Sequence, residues 1–546
     1  MPDAAIRIRH PATLRTANAV GTLLERCGIV PFTLDAARML DRSERLSGFA
    51  LSDPMPRDGL AMLVGSLESE ADLSLFGKVA IRSALQRAAD ARHHVERAFF
   101  ERPEIADETI RNPVFIVGAP RSGTTILHAL LHLDRDHRAP LSWECLLPYP
   151  APRPADHVAD KRVDTVRREF DRIFRLVPDF RKKHYMEADS PQECLAITAL
   201  NFTSFQFLAQ AYLPSYHEWF VDADQEQNLR WHRRFLQFLQ SGGVRRPRWL
   251  LKSPVHLMRL RELFAVYPDA QVIVTHRHPD RIVPSTASIV SSMRSLYSDH
   301  EDTSRTGREQ LRIWAGYFDR FLRDRPQHDG KAQIVDVLFD DFVRDQMAVV
   351  ESIYARFGWQ LRAEDRARME GFLLEEPQGK HGVHEWVNEF CPPFEFDAEQ
   401  GGWGTVDNIY CFCRFRLEPH QYLKITFRSP EACYWGLQTW NYLMQSTNYV
   451  DFPVCVNNAQ AVAESDGRYE IYLSDRPAPR NWISTAGYRE GILFRALASR
   501  RGTPGDASRR AWKLVMRPVA PFAGESSASS ADDPSRILPQ LPWVSQ

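Results

Sequence analysis

Pro113-Val114-Phe115-Ile116-Val117-Gly118-Ala119-Pro120-Arg121-Ser122-Gly123-Thr124-Thr125-Ile126-Leu127 decides how this chain is read. An apolar run of strand character enters a loop rich in Gly, Pro and Ser. A helical pattern leaves it through Ile126, Leu127, Leu130 and Leu131. A helix N-terminus fed by such a loop aims several backbone N–H groups at one point, and the helix dipole adds to their field. The predicted product is an anion cradle built from Gly118, Pro120, Arg121, Ser122, Gly123, Thr124 and Thr125.

Gly118 and Gly123 carry the spacing of the phosphate loop G-x-x-x-x-G-K-[ST], but Thr124 stands where that motif has its lysine. The cation lies three residues earlier, at Arg121. In the form Pro-Arg-Ser-Gly-Thr-Thr the loop resembles the 5′-phosphosulfate loop of sulfotransferases that use 3′-phosphoadenosine 5′-phosphosulfate (PAPS). Arg before Ser-Gly-Thr-Thr is similar to the tyrosylprotein sulfotransferases and to a large bacterial group. The resemblance runs over roughly residues 35 to 390. It implies a P-loop-type α/β fold and PAPS as co-substrate, with no metal.

Further segments fit the same resemblance. Arg277 follows the strand candidate Val272–Thr275, with Ser285 eight residues on, at the expected start of a helix. The family holds the 3′-phosphate with an Arg and a Ser at this spacing; a guanidinium fork and a hydroxyl near a helix start suit a phosphate. Arg138-Ala139-Pro140-Leu141-Ser142-Trp143-Glu144 looks like the bacterial Arg-x-Pro-x-x-Trp-Glu segment. Transfer to a hydroxyl needs a group that collects its proton, and Glu144 is the first candidate base. The competing reading is a structural carboxylate paired with Arg138 or Arg121. Trp249-Leu250-Leu251-Lys252-Ser253-Pro254-Val255-His256 places a charge-neutralising Lys252 and a rival base, His256, beyond another strand end. His184 is a weaker rival. The late Gln378-Gly379-Lys380-His381-Gly382 resembles the family's Gly-Lys-His loop and would bring Lys380 to the cofactor, although its composition also suits a plain turn.

The rest of the sequence bounds these readings. At 546 residues the chain exceeds one typical core. Hydrophobic residues at 44%, charged residues at 25% and a net charge of −1 describe an ordinary globular protein with no global pull toward nucleic acid. The N-terminal residues lack the apolar stretch of a signal peptide, no run is long enough to span a bilayer, and eight scattered cysteines suit a reducing cytoplasm. Cys411, Cys413, Cys433 and Cys455 lack zinc-ligand spacing and are expected to pack in a core.

Residues 1–105 read as a helical extension and 106–392 as the sulfotransferase core. Within that core Trp249–Leu251, Val272–Thr275 and Ile334–Leu338 alternate with helical stretches, which predicts a doubly wound parallel sheet. Residues 396–520 change to strand alternation, as in Ile409–Phe415, Tyr422–Phe427 and Tyr469–Leu473, and form an expected β-rich domain. Asn481-Trp482-Ile483 there resembles a bacterial family of unknown function with an Asn-Trp-Leu-like signature. Residues 521–546 read as a disordered, Ser-rich tail. The expectation is a cytoplasmic enzyme that sulfates a hydroxyl on a small molecule, lipid or carbohydrate. A P-loop kinase and a catalytically idle nucleotide-binding scaffold are the alternatives. Acceptor and oligomeric state are not legible.

Overall fold

The computed structural model describes residues 16, 18–23, 27, 33–155, 157, 160–176, 186–328, 333–375, 394–395, 408–417, 422–428, 434–440, 452–478, 480–488, 490–498 and 515–519. The chain divides into two compact units, Met1–His384 and Glu385–Gln546.

Helices α1 (Ala36–Ser47), α2 (Met55–Glu70) and α3 (Leu75–Glu101) precede the first strand. Their ends follow capping chemistry. The Asp35 carboxylate accepts the Arg38 N–H ahead of α1, and Ser74 Oγ accepts the Gly77 N–H at α3. Leu60, Leu63, Ile81 and Leu85 turn one apolar face into a shared core with Phe202, Tyr216 and Trp314.

Five parallel strands follow: β1 (Val114–Val117), β2 (His137–Arg138), β3 (Arg248–Lys252), β4 (Gln271–His276) and β5 (Ile334–Leu338), in the order β2-β3-β1-β4-β5. Ile116 lies opposite Lys252 on one side and Ile273 on the other. The continuous apolar strands are explained by burial on both faces. Phe115, Val117, Leu251, Val272 and Val274 face one core, while Val114, Ile116, Leu250 and Ile273 face the other. Helix α4 (Thr124–His132) covers the second face with Leu127, Leu130 and Leu131. The long helix α5 (Gln225–Ser241) covers the first with Phe235, Leu236 and Leu239. The predicted doubly wound sheet is present, and β2 is an edge strand the sequence pattern did not reveal. Two residues carry too little periodicity to be seen.

Among its described residues the second unit holds two sheets. One orders its strands Cys455–Asn457, Tyr434–Trp440, Glu490–Ala498, Asn408–Arg416 and Phe394–Glu395; the other orders Trp482–Ser484, Arg468–Ser474, Tyr422–Arg428 and Val515–Val519. Phe415, Leu423, Ile425, Trp435, Leu437, Ile471, Leu473 and Leu493 form its core. Asp466-Gly467 turns the chain as expected, with Gly467 at φ +77°. Glycines at 436 and 491 interrupt the alternation of Tyr434–Trp440 and Glu490–Ala498, which hid both strands from the pattern. Cys455 is exposed, against the expectation of core packing. The side chains of Cys411 and Cys413, and all of Cys433, lie outside the described residues.

Candidate functional site

The loop after β1 is held open by its own backbone and by β4. Ser122 Oγ donates to the Ala119 carbonyl at 2.6 Å and stands 2.6 Å from Thr275 Oγ1. A Cβ on Gly118 would fall 2.0 Å from Thr275 Oγ1 and 2.8 Å from the Thr275 carbonyl, so only glycine lets the loop pass this close to β4. Arg121 at φ +70° and Gly123 at φ +87° both adopt left-handed backbone. For a non-glycine residue that costs roughly 1–2 kcal/mol. Strain of this kind at a turn into a helix N-terminus folds successive N–H groups into a concave anion nest. The first intrahelical bond, Leu127 N–H to the Gly123 carbonyl at 3.1 Å, fixes Thr124 and Thr125 in the first turn of α4.

Residues more than 150 positions apart then close one side of the loop. Arg121 Nε donates to Ser285 Oγ at 3.0 Å, and Arg277 Nη1 donates to the Arg121 carbonyl at 2.8 Å. The Arg277 guanidinium also lies 4.1 Å from the centre of the Phe339 ring. Ser285 sits in the second turn of helix α6 (Pro279–Tyr297), not at its start, because Pro279 begins the helix earlier than the sequence pattern suggested. Arg121, Arg277 and Ser285 are brought together at the carboxyl ends of β1 and β4, where ligands bind in open α/β sheets.

The opposite side is built from β3. Lys252, 3% exposed, donates from Nζ to Thr125 Oγ1 at 3.2 Å and to Glu193 Oε1 at 2.6 Å. Thus Lys252 reaches the loop, and it arrives with a carboxylate that sequence reading missed. Glu193 precedes the helix Cys194–Ala199 and carries no motif that marks it. His256, in the 3₁₀ turn Pro254–Met258, is buried against Phe115 and His232. Its Nε2 is buried without a hydrogen-bond partner. Burial pushes its pKa down to about 4, against the pull of Glu193, so the ring is neutral at physiological pH.

Glu144 is placed elsewhere. The carboxylate is fully buried; Oε1 accepts from Arg138 Nη2 at 2.8 Å and from His157 Nε2 at 3.0 Å, and Oε2 accepts the Leu141 N–H at 2.9 Å. Burial pushes the Glu144 carboxyl up, but the Arg138 guanidinium and the His157 and Leu141 hydrogen bonds outweigh it and leave the group below its ordinary value. In this arrangement neither Glu144 nor His256 presents its basic atom to solvent. Lys380 and His184 lie outside the described residues.

Comparison with known proteins agrees with this geometry. Residues 113–363 match the family model described as "Sulfotransferase family". The chain is 26% identical over 331 residues to the omega-hydroxy-beta-dihydromenaquinone-9 sulfotransferase Stf3 of Mycobacterium bovis, covering 58% of this chain and 79% of the relative. The crystal structure of sulfotransferase STF1 from Mycobacterium tuberculosis H37Rv superposes with a TM-score of 0.57 at 29% identity, covering 62% of this chain and 93% of that one. That of STF9 from Mycobacterium avium gives 0.58 at 28% identity, covering 63% and 88%. Among the described residues no helix is long and apolar enough to cross a membrane, and no group of His, Cys, Asp and Glu is arranged to hold a metal ion.

Proposed function

We propose that this chain, whose residues 113–363 match the sulfotransferase family model, transfers a sulfuryl group from PAPS to a hydroxyl, leaving a sulfate ester and adenosine 3′,5′-bisphosphate. The observation that carries the reading is the junction of Arg121, Arg277 and Ser285 beside a phosphate loop with threonine in the lysine position. The loop N–H groups, Thr124, Thr125 and Arg121 hold the 5′-phosphosulfate. Arg277 and Ser285 take the 3′-phosphate, and Lys380 adds charge to the same anion. The donor is a multiply charged anion, and two guanidiniums, one ammonium and a helix N-terminus suit it.

The transferred group passes in line between two oxygens, so positioning and charge stabilisation dominate the chemistry. Negative charge grows on the departing 5′-phosphate oxygen, where the loop amides and Arg121 meet it. The acceptor is a hydroxyl of a small molecule, carbohydrate or lipid. A lipid alcohol is favoured by the acceptor in the name of the mycobacterial relative. Every named donor contact falls before His384, within the first unit.

Ligand-linked stabilisation tests the donor assignment. At a hundredfold excess over Kd, adenosine 3′,5′-bisphosphate should add about 2.7 kcal/mol of stability. Mg-ATP at the same concentration should add little, because the site is placed for a 3′-phosphate. Equal or greater stabilisation by Mg-ATP would overturn the reading in favour of a kinase.

A further inference from the structure

Glu144 and His256, two of the bases that the sequence nominates, are enclosed, and the geometry brings a different carboxylate to the loop. We infer that Glu193 is the proton acceptor of the transfer and that Glu144 is a positioning residue acting through it. The inference rests on the sulfotransferase reading above.

Three features converge on Glu193. Its side chain keeps 20% exposure, whereas Glu144 keeps none. Lys252 Nζ bridges it to Thr125 Oγ1, so the carboxylate stands one ammonium away from the loop that holds the sulfuryl donor. Glu193 also begins a helix, at the end of a strap whose path is pinned to the segment behind the loop. The Ser142 and Trp143 N–H groups donate to the carbonyls of Ser190 and Ala188, the Gln192 N–H donates to the Pro140 carbonyl at 2.8 Å, and Leu141 bridges Pro191. Glu144 in turn accepts the Leu141 N–H and holds Arg138. Its carboxylate therefore fixes residues 138–144, these fix residues 188–192, and that strap delivers Glu193 to Lys252.

The step balances with PAPS and an alcohol as reactants. The alcohol oxygen forms a bond to sulfur, and the bond from sulfur to the bridging 5′-phosphate oxygen breaks with its electron pair on phosphate. The hydroxyl proton passes to the Glu193 carboxylate. Lys252 faces both the loop and the base, so its charge neutralises the sulfuryl oxygens while it holds Glu193 in place.

The test uses the full chain, radiolabelled PAPS and two probe acceptors: the un-ionised alcohol geranylgeraniol and 4-nitrophenol at a pH where it is ionised. Glu193→Gln keeps the shape and an oxygen for Lys252 but cannot take a proton. With the alcohol, kcat should fall by roughly 10²–10⁴. With the phenolate, which has no proton to give up, the loss should shrink to less than about tenfold. Bisphosphate affinity should stay unchanged, and Glu193→Asp should recover part of the alcohol activity. Equal losses on both acceptors would overturn the assignment, because a merely structural carboxylate harms both alike. So would an alcohol kcat that Glu193→Gln leaves intact. A wild-type protein that adenosine 3′,5′-bisphosphate fails to stabilise would instead overturn the donor reading, and this inference with it.

Discussion

Replacing Glu144 by glutamine separates the two roles open to that residue. The carboxylate accepts three hydrogen bonds, from Arg138, His157 and Leu141, and it is fully buried beside a guanidinium that is itself 4% exposed. A glutamine amide has one accepting oxygen and one donating nitrogen. Whichever way it turns, its NH₂ faces either the Leu141 N–H or the Arg138–His157 pair. A buried donor left without an acceptor costs about 1–3 kcal/mol, and breaking a buried ion pair by removing one partner costs about 3–5 kcal/mol in all. The unfolding entropy, about 2.1 cal/mol/K per residue, comes to about 0.8 kcal/mol/K over the unit Met1–His384. The melting temperature should therefore fall by about 4–6 °C. Scanning calorimetry of wild type and variant measures it, with kcat determined well below either transition. If the melting temperature is unchanged while kcat collapses, the carboxylate is not structural, the base returns to Glu144, and Glu193 is not the proton acceptor.

Arg277→Ala should weaken bisphosphate binding by about 1.5–3 kcal/mol, the worth of a charge-assisted contact, and unchanged affinity by titration calorimetry would remove Arg277 from the 3′-phosphate site. Gly118→Ala puts a methyl 2.0 Å from Thr275 Oγ1; it should cost about 1–3 kcal/mol of stability and abolish bisphosphate-linked stabilisation, both read by thermal shift. Acid should destabilise the first unit from about pH 6.5 downward. His132, His137 and His256 have pKa values pushed by burial from 6.5 to about 4. The unfolded chain therefore takes up protons first, and stability present above pH 6.5 drains away as pH falls toward about 4; a flat stability curve over that window would refute the neutral, buried assignment. Removing residues 396–546 should leave bisphosphate binding measurable, and loss of soluble protein would show that the two units depend on one another.

The local chemistry of this chain is written in short stretches. Val114–Val117 reads as a doubly buried strand because all its residues are apolar, and Gly118 and Gly123 mark backbone that a side chain would forbid. Arg277 and Ser285 are nominated by resemblance to a family pattern, which can be recognised because its eight-residue spacing is local, spanning one strand end and the helix after it. What sequence could not supply is which distant groups meet. Glu144 and Glu193 are both glutamates near a helix start, and only packing seals one against Arg138 and His157 while leaving the other at Lys252. The proton acceptor is decided by desolvation and by the ion pair available at each place. Those are properties of the assembled sheet and of residues 188–192 held against residues 140–143, and no spacing along the chain encodes them.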